Sequence, residues 1–258
     1  MAYTPDYRAY PGAPGVSATA ATLDAGLRSY MLRVYNWMVS GLLLTGIVAY
    51  AIAFTPLRAA FYRDVMLASG RVAVQPQPLA MIAMFAPLAF VLVLSFGVNK
   101  LSRGAAQALY WAFCAAMGAS LTSIFIVYTG ASIVSVFFIT AGTFAAMSIY
   151  GYTTKADLSR MGSFLFMGLI GIVLAGFVNM FLHSNGMQFV ISIGAVIVFT
   201  GLTAFDTQRI KADYLQTAYA TGADGAAKRS VYDALSLYLN FINLFLTLLQ
   251  LLGNRNNN

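Results

Sequence analysis

Long runs without a charged side chain dominate the sequence. Charge-free stretches cover residues 34–57, 72–99 and 234–254, each close to one membrane crossing. Two more, 104–154 and 161–205, are each long enough for two crossings and a turn. A helix needs about 20 mostly apolar residues to cross ~30 Å of hydrocarbon. The pattern therefore predicts seven spans, near 34–54, 79–98, 105–127, 132–151, 163–182, 187–206 and 232–252. Inside the two long runs, the small polar clusters Tyr128-Thr129-Gly130-Ala131-Ser132 and His183-Ser184-Asn185-Gly186 mark the turns. The expected fold class is an all-α membrane protein.

Composition supports this reading: 60% of the 258 residues are hydrophobic and 9% are charged, whereas ordinary soluble domains carry about 25% charged residues. The net charge of +7 requires no nucleic-acid partner, because in a membrane protein a Lys/Arg excess reports orientation. With the N-terminus inside, eleven basic residues face inward: Arg8, Arg28, Arg33, Lys100, Arg103, Lys155, Arg160, Arg209, Lys211, Lys228 and Arg229. Four face outward, Arg58, Arg63, Arg71 and Arg255, three of them in a first outer loop, 55–78, expected to be partly structured. The expectation is N-in, C-out. Residues 1–30, with Pro5, Pro11, Pro14 and an Ala/Ser/Thr run, lack a signal-peptide core and read as a disordered cytoplasmic tail. Residues 31–253 form the seven-span domain, and 254–258, nearly all Asn, read as a loose terminus.

Small residues recur four apart at Gly41/Thr45, Ala115/Ala119, Gly118/Thr122 and Gly171/Ala175, spacing that suits close helix packing in lipid. A lone Cys (Cys114) and a lone His (His183) exclude an internal disulfide, a Cys/His zinc cluster and a two-His metalloprotease motif. Cys114 reads as a small apolar filler and His183 as a solvated turn residue.

An ionisable residue within a span is a functional candidate by default. Asp206 closes the apolar run Phe189–Phe205 and has Arg209 one turn later; a wet, paired helix-end acid and a functional carboxylate both remain open. In the last span Asp233, Ser236, Asn240 and Asn243 follow 3-4-3 spacing along one face. Asn240 lies about 10 Å of rise beyond Asp233, well inside the bilayer. The stripe must face protein or water, either as an interior path or as simple interhelical hydrogen bonds.

These strings resemble the Bax inhibitor-1 family, the transmembrane Bax inhibitor motif proteins, in its bacterial branch. The motifs are Tyr35-Asn36-Trp37-Met38-Val39-Ser40-Gly41-Leu42 with Thr45, then Tyr150 to Ser159, Gly201 to Ile210, and Leu237 to Phe245. The resemblance implies seven helices with the last one central, and a pH-sensitive calcium leak, with calcium as permeant ion rather than cofactor. In the family picture two carboxylates, at the end of the sixth span and in the seventh, share a proton and close the pore, and a basic residue of the second span latches onto them. The first carboxylate matches Asp206; the latch matches Lys100, with Arg103 as the fallback.

The second carboxylate is replaced here by Asn240. Two neighbouring carboxylates repel when both ionise, which couples their titrations; an amide removes that coupling while keeping a donor and an acceptor. The expected pH response is weak or shifted, and calcium contact loses a carboxylate ligand. An aspartyl protease would need Asp213, Asp224 or Asp233 as its second acid, and these lie in a loop or at a helix mouth; a serine protease would need a base that the outer turn's His183 cannot supply. No enzyme activity is expected. The alternative to a leak is a regulatory interaction protein acting on a membrane protease or a stress-response partner, a role also associated with the family.

Overall fold

A computed structural model describes residues 16–66, 72–97, 101–217 and 222–256. Seven helices within these residues are long and apolar enough to cross a membrane. They are α1 (Val16–Phe54), α3 (Pro78–Gly97), α4 (Arg103–Leu121) continued by the short α5 (Ser123–Val127), α6 (Gly130–Thr153), α7 (Ser159–Leu182), α8 (Asn185–Thr217) and α9 (Gly222–Leu252). The all-α, seven-span expectation holds. The outer loop carries α2 (Arg58–Phe61) and an antiparallel hairpin, β1 (Tyr62–Met66) with β2 (Val72–Pro76), paired from Tyr62↔Pro76 to Met66↔Val72. Arg58 is tied to Asp64 at 2.8 Å there, so this loop is partly structured as expected.

The last helix is the axis of the bundle. It packs on α1, α4, α6 and α8, and 61% of its spanning window is buried, against 11% for α7. Leu237, Tyr238, Leu244 and Leu249 are essentially inaccessible. In lipid such packing rests on close van der Waals fit and interhelical hydrogen bonds. Thr45 supplies both: its hydroxyl is 2.9 Å from the Cys114 carbonyl and 2.7 Å from the Tyr238 hydroxyl. Gly118 lets α4 approach so closely that an added Cβ would sit 2.6 Å from the Thr45 carbonyl oxygen. A Cβ at Gly171, by contrast, would meet nothing within 4 Å, so no helix packs closely on α7 at Gly171.

Residues 16–30 and 254–256 depart from the sequence expectation. Residues 16–30, assigned to a disordered tail, belong to α1, and Leu27 and Tyr30 are buried. Leu23, Leu27, Tyr30, Met31 and Val34 continue one helical stripe, interleaved with Asp24, Arg28, Ser29 and Arg33. Residues 1–15 of that tail lie outside the described residues. The C-terminal segment, assigned as loose, is bound through Asn256: Thr129 N donates to Asn254 O at 3.1 Å and Asn256 N to Val127 O at 2.9 Å. The Asn256 amide adds bonds to the Ile126 and Tyr128 carbonyls. These are mainly backbone bonds, which apolar surface area does not report.

Candidate functional site

Helices α8 and α9 run antiparallel, and three polar rungs join their facing sides. At the deepest rung Asn240 Nδ2 donates to Asp206 Oδ2 at 2.7 Å, both residues being buried. One turn toward the helix mouth, Arg209 donates to the Ser236 hydroxyl at 3.3 Å. Beyond it Arg229 holds Asp213 at 2.7 Å.

Asp206 also forms an ion pair with Arg209, 3.0 Å from Oδ1. The guanidinium nitrogen lies out of line, so Oδ1 is buried without a hydrogen bond. The Asp206 side chain is 8% exposed and the Arg209 side chain 36%, although Arg209 Nε is itself buried without a hydrogen bond. A long side chain that reaches water while covering apolar surface suits this division. A buried carboxylate oxygen held by charge attraction alone calls for explanation.

The 3-4-3 stripe of α9 is divided among several partners. Ser236 and Asn240 meet α8, whereas Asp233 accepts a hydrogen bond from Tyr30 of α1 at 2.5 Å. Asn243 donates to the Leu239 carbonyl of its own helix at 2.9 Å. Arg103 opens α4, exposed, after a Ser102 cap; Lys100 lies outside the described residues. His183 ends α7 in the left-handed region at φ 50°.

Sequence reasoning missed three features. Tyr30 stacks on Tyr214 at 4.8 Å as well as binding Asp233. Gln208 bridges the Ala156 carbonyl and the Leu158 amide, each at 2.8 Å, and Lys211 donates to the Tyr152 carbonyl at 2.8 Å. The Tyr150–Ser159 motif is therefore the strap that α8 pins. Within the strap Asp157 accepts from Ser159 N at 2.9 Å, and the Ser159 side-chain and backbone donors hold its carboxyl below the usual value. Gln208 and Lys211, three residues apart and so on one helical face, were the available signal.

As a metal ligand set, the Asp206 carboxylate and the Asn240 side-chain oxygen supply few oxygens, while Ca²⁺ takes 6–8.

Residues 27–257 match the family model described as inhibitor of apoptosis-promoting Bax1. The chain belongs to the Bax inhibitor-1 family. It is 46% identical to the inner membrane protein YbhL of Escherichia coli strain K12, over 90% of this chain and 94% of that one. An uncharacterized protein of Rickettsia prowazekii is 43% identical, over 91% and 93%, and one of Caulobacter vibrioides 42%, over 90% and 91%. This Bax inhibitor-1 family member is a multi-pass protein of the cell membrane, with Asp206 and Asn240 on its two most buried spanning helices.

Proposed function

We propose that the chain is a non-enzymatic calcium leak whose closed state is held where α8 meets α9. The observation that carries this reading is the buried Asp206 carboxylate, joined to the central helix by Asn240, clamped by Arg209, and left with one oxygen that receives no hydrogen bond. In the closed state Arg209 offsets the anion's charge. When the clamp is displaced, that oxygen and the Asn240 carbonyl become transient ligands for a hydrated cation. Lys100 or Arg103 would serve as a further latch from the end of the second span. The pH response is weak, because one acid, and not two, occupies the contact.

The test is calcium entry into liposomes containing the purified full-length protein, followed with a trapped dye. A leak well above that of protein-free vesicles supports the proposal; a rate equal to theirs refutes it. A chain lacking residues 1–15 separates the leak from a partner-regulating role. It removes the proline-rich end while keeping the packed turns around Leu27 and Tyr30, and an intact leak with a lost cellular phenotype would assign that end to a protein partner.

A further inference from the structure

Helices α1 and α6 each pack on α9 rather than on one another. The gap between them is an apolar groove of about 1050 Å³, floored by Phe144 and Phe241 and walled by residues such as Met38, Leu42, Ala145 and Ile149. A Cβ at Gly46, on the α1 wall, would meet nothing within 4 Å. The α1 lining runs from Arg28 to Ala51, a rise of about 35 Å, so the groove follows α1 through most of a ~30 Å hydrocarbon core.

Arg28, Ser148 and the hydroxyls of Tyr35, Tyr50 and Tyr152 are the polar groups of an otherwise apolar lining. Arg28 stands exposed at the groove's N-terminal mouth, where it also borders a polar recess lined by Asp24, Arg33 and Trp37, two cations against one acid. Among the described residues it makes no ion pair. Ser148 lines the α6 wall at 7% exposure, and its hydroxyl has no hydrogen-bond partner.

An apolar furrow in a bilayer is filled by lipid chains or by another helix. A guanidinium at its mouth favours a molecule that is anionic at one end, because Arg matches phosphate oxygens with a bidentate fork. Basic pockets between membrane helices hold anionic headgroups for this reason, and Trp belongs at that depth. We propose that the α1–α6 groove binds one anionic phospholipid, with an acyl chain over Phe144 and Phe241 and the phosphate on Arg28.

The test uses spin-labelled phosphatidylglycerol and phosphatidylcholine in liposomes containing the full-length protein, and reads the immobilised fraction of each by electron paramagnetic resonance. The protein should prefer phosphatidylglycerol about fivefold, the effect of one basic residue near a lipid surface. Arg28→Gln should bring the two lipids close to parity, whereas Arg160→Gln, at an exposed position near the start of α7, should leave the preference intact. Ala145→Trp on one wall and Gly46→Phe on the other should each lower the immobilised fraction of both lipids. Equal immobilisation by the unmodified protein, or an Arg28→Gln protein that keeps its preference, overturns the proposal. So does a dimer that Ala145→Trp dissociates, because the groove would then belong to a second copy. Calcium flux plays no part in the readout, so this result and the leak stand or fall separately.

Discussion

At Asn240 a single atom changes the chemistry of the α8–α9 contact. Its amide donates to Asp206 at 2.7 Å, and a carboxylate there would place two acids within sharing distance of one proton. Asn240→Asp should therefore couple the two titrations. As pH falls, the pair takes up protons and loses the negative charge that holds Arg209, so the leak should rise more steeply with acid than in the unmodified protein. Liposome calcium flux from acidic to mildly alkaline pH reads this directly; superimposed profiles would show that the second carboxylate does not couple to Asp206. The Asp206–Arg209 pair was legible from three-residue spacing, and Asn240 from its place in a polar stripe. The Tyr30–Asp233 bond was not, since its partners lie 203 residues apart and a tyrosine in a helical stripe carries no sign of its partner.

At the scale of elements, the first turns of α1 are a packed part of the bundle. Tyr30→Phe leaves the buried Asp233 carboxylate without its donor, which should cost about 1–3 kcal/mol. Thermal unfolding in detergent should show a clear drop for Tyr30→Phe and little change for Tyr50→Phe, since Tyr50 is 59% exposed; equal shifts would place the α1 extension outside the cooperative unit. Close approach makes a second prediction. A Cβ at Gly151 would collide with the Ala204 carbonyl, so Gly151→Ala should destabilise the α6–α8 contact, and Gly171→Ala, in open space, should not. Small-residue spacing suggested close packing at several sites, but it does not distinguish a pair that faces a helix from one that faces lipid.

For the whole molecule, the number and order of spans were legible because hydrocarbon thickness sets a length that charge gaps must respect. Residues 16–30 and 254–256 were not, because α1 begins among Ala, Ser and Thr and the segment at Asn254–Asn256 is held by backbone groups. Orientation rests on the distribution of basic residues. In a Cys114→Ser background, Ser184→Cys should react with an impermeant thiol reagent in intact cells and Gly222→Cys should not; the reverse pattern would invert the topology.

The central claim is that Asp206 and its clamp hold the leak closed. Its most direct measurement compares calcium flux in liposomes for the unmodified protein, Asp206→Asn, Arg209→Gln and Asp213→Asn. Losing a charge-assisted contact costs about 1.5–3 kcal/mol, so Arg209→Gln should raise the leak about tenfold or more. Asp206→Asn should change it far more than Asp213→Asn, whose Arg229 pair lies nearer the helix mouth. Equal effects of the two Asp substitutions, with an unaltered leak in Arg209→Gln, would contradict the account and leave Asp206 a buried acid with a packing role alone.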